Sequence, residues 1–106
     1  MSLAKRIEGS ASVAVAEFSH ARVMTPQFAV FWAGPSEAIV IAYFNEPIGL
    51  EIIDPHAELA GTTITFRYAT RSPSGAVAAG LQPRKVVYHL TGLRQRQYEL
   101  VLSRIN

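Results

Sequence analysis

Along most of the chain, apolar and polar residues alternate with a period of two, as expected of strands with one buried and one wet face. The clearest case is TTITFRYA (62–69), where Ile64, Phe66 and Tyr68 share one face and Thr63, Thr65 and Arg67 the other. KVVYHL (85–90) sets Val86, Tyr88 and Leu90 against Val87 and His89, and YELVLSR (98–104) groups Tyr98 with Leu100 and Leu102. Turn residues fall between these runs at Asp54-Pro55-His56, Ala60-Gly61, Ser72-Pro73-Ser74-Gly75 and Gln82-Pro83. Breaks about every 8–12 residues predict an all-β chain: a single-domain antiparallel β-sandwich or small β-barrel of about seven strands, covering residues 1–106. For residues 10–24 the pattern favours strand, because Val13 and Val15 alternate, although Ala14, Phe18 and Ala21 also fit a helical face. AVAAGL (76–81) fits a short helix or an irregular crossing.

Two central segments break the alternation. FAVFWA (28–33) and AIVIAYF (38–44) are apolar on both faces, and Gly34-Pro35-Ser36-Glu37 between them reads as a four-residue hairpin turn. With that turn, Phe28, Val30 and Trp32 share a face with Ile39, Ile41 and Tyr43 and enter the core. Phe31, Val40 and Phe44 then lie on the opposite face, where they need a second cover. A chain so rich in strand has little helix to supply one, so these three residues are expected to meet another subunit or a standing protein partner.

Composition narrows the class. Apolar residues make up 49% and charged residues 17%, which argues against disorder. No apolar run approaches the roughly 18 residues of a spanning helix, and the N-terminus makes a poor secretory leader. With no cysteine there is no disulfide, thiolate nucleophile or cysteine metal site, and a cytoplasmic location is the expectation.

The candidate chemistry is sparse. Asp54, His56 and Glu58 recur at period two and would point one way in an extended segment, with His20 or His89 as a further ligand. Asp-Pro is also common turn chemistry, so the cluster is expected to be a solvated connecting loop without metal. No nucleophile elbow, phosphate-binding glycine loop or zinc helix motif occurs. Ser36, Ser72 and Ser74 are turn serines, and Ser19 and His20 are strand neighbours that would point apart. His89 faces away from the Val86 side, in a position where it could serve as a general base. These features lean away from an enzyme and imply no cofactor.

Charge is unevenly spread. Residues 1–58 hold three basic and seven acidic groups, and residues 59–106 hold seven basic and one acidic. Arginine outnumbers lysine eight to two, and guanidinium forks suit carboxylate and phosphate. Arg67, Arg71, Arg84, Lys85, Arg94 and Arg96 are therefore the candidate anion-binding set. A nucleic-acid reading requires them to form one patch, and it lacks exposed aromatics for base stacking. The simpler expectation sets acidic strands beside basic ones in one sheet, or the two regions across a subunit boundary.

Leu90-Thr91-Gly92-Leu93 followed by Tyr98 resembles the passage into a late strand of fibronectin type III domains. The resemblance implies that the Tyr98 hydroxyl anchors a corner. It covers about a dozen residues; the gap before Tyr98 is one residue shorter than in that family, and the final strand that the family carries would fall beyond Asn106. Arg94-Gln95-Arg96-Gln97 is read as a solvated turn. The functional expectation is a non-catalytic β-domain acting by self-association or as a binding module in a larger complex. The alternative is a β-barrel enclosing an apolar or anionic small molecule, or a small enzyme with a site between subunits; nucleic-acid binding is the least favoured.

Overall fold

The computed structural model describes residues 4–15, 26–73, 75 and 80–106, with only the backbone at Val15. It is a β-sandwich of two four-stranded sheets. The strands are β1 (Lys5–Arg6), β2 (Gly9–Val15), β3 (Gln27–Gly34), β4 (Glu37–Pro47), β5 (Glu51–Ala60), β6 (Thr63–Arg71), β7 (Leu81–Thr91) and β8 (Glu99–Arg104). The first sheet has the order β1-β5-β6-β8 and the second β2-β7-β4-β3. All pairs are antiparallel except β6 with β8, which run parallel. Among the described residues, no helix is long and apolar enough to cross a membrane. Val13 lies in a strand as expected, whereas most of residues 10–24 and of 76–81 lie outside the described residues, as do Ser19, His20 and Ser74.

The core forms where the inner faces meet. Strand β4 contributes Ala38, Val40, Ala42 and Phe44; β7 contributes Val86, Tyr88 and Leu90; β6 contributes Ile64, Phe66 and Tyr68. Aromatic rings join the sheets. Phe66 lies 5.2 Å from Phe28 and 4.8 Å from Tyr88 between ring centres, and Phe44 stacks on Tyr68 at 4.7 Å. Such pairs add about 0.5–1.5 kcal/mol each beyond their buried area. The expected inner faces of β6 and β7 are therefore correct, and on β8 Leu100 and Leu102 pack against the same core.

The β3–β4 hairpin corrects the expected faces. Pro35 and Ser36 form a tight turn between Gly34 and Glu37, but beyond it Trp32 pairs with Ala38, Val30 with Val40 and Phe28 with Ala42. Ala33 is an extra residue, a β-bulge that slips the register by one and exchanges the faces of β3 relative to β4. Val40 and Phe44, expected at an outer interface, are inside the core at 1% and 4% exposure. Ile39 and Ile41, expected inside, are half-buried on the outer face beside Phe31.

A second bulge lies in β5. Asp54 and Pro55 together oppose the single residue Tyr68, and Asp54 takes a positive φ of 52°. The expected break at Asp54-Pro55 is thus a kink inside one continuous strand. Because of it, Ile52 and Ala57 both face the core despite their odd spacing.

Candidate functional site

The outer face of the second sheet carries an apolar centre with a polar rim. Two rows of cross-strand neighbours build it. Phe31 of β3 pairs with Ile39 of β4, which pairs with His89 of β7 and then Ser10 of β2. In the next row Ala29 pairs with Ile41, then Val87 and Ser12. Phe31 is 55% exposed and Val30, on the other face of the same strand, 42%. The rim consists of Lys85, the two serines and a hydrogen-bonded pair in which His89 Nε2 lies 3.2 Å from Glu37 Oε2. Ser10, His89 and Glu37 stand side by side, but no hydrogen bond joins Ser10 to His89 among the described residues.

Strand β3 is the edge of this sheet, and among the described residues nothing pairs with its free side. Its sequence, QFAVFWAG, contains no charge and no proline. Edge strands are usually blunted by lysines, prolines or inward charges, since an unpaired row of backbone groups templates further pairing. Strand β3 has only the bulge at Ala33.

An apolar cleft opens behind this edge, between the two sheets. Val30, Trp32 and Val40 line one side, Ile64 and Leu100 the other, and Leu93 closes the end; the space measures about 210 Å³. The segment joining β7 to β8 forms its mouth with Arg96, Gln97 and Tyr98. The Tyr98 hydroxyl donates to the Arg94 carbonyl at 2.6 Å, the corner that the fibronectin-like passage implied, and Leu93 N donates to Ser36 O at 3.1 Å. Arg96 rests over the Tyr98 ring, 5.9 Å from its centre.

The six candidate anion-binding residues do not meet. Arg67 and Arg71 lie on the first sheet, where Arg67 pairs with Glu58 and Arg71 with Glu51 at 3.0 Å. Lys85 is on the outer face of the second sheet, opposite Tyr43. Arg84 lies near one end of the sandwich and donates from Nη1 to the Leu50 carbonyl at 3.0 Å. Arg94 and Arg96 belong to the connection at the other end, next to the β3–β4 turn. Three of the seven bases in residues 59–106 pair with acids of residues 1–58: Arg104 with Glu46, Arg71 with Glu51 and Arg67 with Glu58.

Nor do Asp54, His56 and Glu58 converge. The bulge turns Asp54 outward, His56 Nδ1 donates to the Asp54 carbonyl at 2.9 Å, and Glu58 is held by Arg67. Among the described residues, no group of three metal-ligating side chains comes together.

The residues that build two features could not be picked out from sequence. One is the cleft, whose lining comes from five separate segments. The other is a buried network between the sheets, where Glu46, 3% exposed, accepts from the Tyr68 hydroxyl and from Arg104 Nη1 at 3.1 Å. Burial, and then the bond to Glu46, raise the Tyr68 pKa well above its ordinary value; burial alone raises that of Tyr88. The only hint of the network in the sequence is an acid at a core-parity position of β4. The chain matches no family model, and no curated protein or solved structure is significantly similar to it.

Proposed function

We propose that this β-sandwich works by association, presenting the β3 edge and the adjoining outer face of its second sheet to a second copy of itself. The observation that carries the reading is Phe31, more than half exposed beside Ile39 and Ile41, on an uncharged edge strand whose free side has no partner among the described residues. Leaving a large apolar side chain in water forgoes roughly 1.5–3 kcal/mol, and a bare edge invites uncontrolled pairing. A polar rim around an apolar centre is the usual anatomy of an association surface. A second copy fits because a neutral strand meets its own image without like-charge repulsion. The cysteine-free composition fits an intracellular setting. Dispersal of the arginines removes the support for a nucleic-acid role.

Light scattering across a concentration series tests the proposal. The wild-type mass should rise from one chain to two in the micromolar range. Phe31→Asp should weaken the dimer at least tenfold, the equivalent of about 1.4 kcal/mol, and Arg94→Ala should leave it unchanged. A wild type that stays one chain in mass at high micromolar concentration overturns the proposal, and so does a constant dimer indifferent to Phe31→Asp.

A further inference from the structure

The cleft between the sheets points to a second activity, independent of association. We infer that it binds a medium-chain monocarboxylate, with the hydrocarbon between the sheets and the carboxylate on Arg96. Size sets the hydrocarbon. A cavity of about 150 Å³ takes up benzene, so about 210 Å³ takes an unbranched chain of roughly eight carbons. Apart from the Trp32 indole N–H, the walls select against a polar occupant, since Val30, Val40, Ile64, Leu93 and Leu100 offer no hydrogen bond.

The mouth selects charge. Arg96 has no acidic partner among the described residues, unlike Arg67, Arg71 and Arg104, which each have one. Its guanidinium lies over the Tyr98 ring, where two in-plane donor edges remain for a carboxylate. Gln97 adds an amide donor at the same rim. The arginine is also placed in advance. Its segment is tied by the Tyr98 hydroxyl to the Arg94 carbonyl and by Leu93 N to Ser36 O, which lowers the ordering cost of binding.

Trp32 is the only tryptophan of the chain and lines the cleft, so its fluorescence reports occupancy directly. Octanoate should change the Trp32 emission saturably, 1-octanol should do so more weakly, and acetate should not. Arg96→Gln should weaken octanoate at least tenfold and leave octanol within about twofold, so that the two ligands become alike. Amide chemical-shift changes on adding octanoate should cluster at Trp32, Ile64, Leu93 and Leu100. Phe31→Asp, which faces away from the cleft, should leave octanoate binding intact even as it splits the dimer, so the two proposals fail separately. No saturable response, or shifts scattered outside the cleft, overturns the site. Equal octanoate affinity in wild type and Arg96→Gln overturns the choice of a carboxylate.

Discussion

Glu46 projects from β4, yet its partners are on the opposite sheet: Tyr68 on β6 and Arg104 on β8. A carboxylate this deeply buried is tolerated only when its oxygens are occupied. Tyr68→Phe removes one donor and leaves that oxygen buried, so it should cost about 1–3 kcal/mol in urea unfolding. Tyr88 is the natural contrast. Its hydroxyl is equally enclosed but has no partner among the described residues. Tyr88→Phe keeps the ring contact with Phe66 and removes only an unsatisfied group, so its stability should stay within about 0.5 kcal/mol of wild type or rise. Equal losses from the two substitutions would show that the Glu46 bond gives the Tyr68 hydroxyl no more value than the unpaired hydroxyl of Tyr88. Tyr98 belongs at this scale too, because the resemblance of residues 90–98 to a fibronectin passage correctly marked its hydroxyl as a corner anchor. The local geometry was legible because it depends on a few adjacent residues.

At the scale of elements, two bulges and one glycine decide what alternation alone cannot. Strands β6 and β7 were readable because polar residues mark one face: Thr65 and Arg67 in β6, His89 in β7. In β3 and β4 both faces are apolar, so the pattern identifies the strands but not their inner sides. The single extra residue at Ala33 makes that choice. It moved Val40 and Phe44 inward and left Phe31 as the exposed member of the expected trio. The Asp54-Pro55 bulge similarly turned an expected loop into a bent strand. Gly9 fixes the start of β2, where a φ of 149° and the close carbonyl of His89 leave no room for a side chain: a Cβ there would lie 1.8 Å from that oxygen. Gly9→Ala should therefore shift β2 along β7 and cost more than about 2 kcal/mol, as strain and lost ladder bonds combine. Gly61→Ala, with a positive φ but nothing within 4 Å of the added carbon, should cost only about 1 kcal/mol. Thermal unfolding of the two variants side by side checks the ranking.

The whole sandwich is held by contacts between residues far apart in sequence, which is why neither the cleft nor the Glu46 network was visible as a motif. Strand β8 lies parallel to β6 and is fastened along its length. Ile105 N donates to Tyr68 O at 2.8 Å, and the Asn106 amide pairs with Thr70 as a strand would, accepting from its N at 2.9 Å and donating to its O at 2.7 Å. The same sheet-to-sheet contact region holds both raised tyrosines, Tyr68 from the first sheet and Tyr88 from the second. Their titration therefore acts on the sandwich as a unit. Both phenols stay protonated in the folded chain well above the ordinary tyrosine value of about 10. Below that value both states hold the proton and stability is unaffected. Above it the unfolded chain loses protons that the folded chain keeps, so the folded state binds more and unfolding free energy falls as pH rises. Stability should be flat from neutral pH to about 10 and then decline by up to about 1.4 kcal/mol per pH unit for each tyrosine. Either single Phe substitution should halve the slope, and Tyr68→Phe with Tyr88→Phe should nearly abolish it, even if one variant starts from a lower stability. Urea midpoints between pH 8 and 11 measure this. An alkaline decline unchanged in the double variant would assign the loss to other groups and separate the two buried hydroxyls from the pH response.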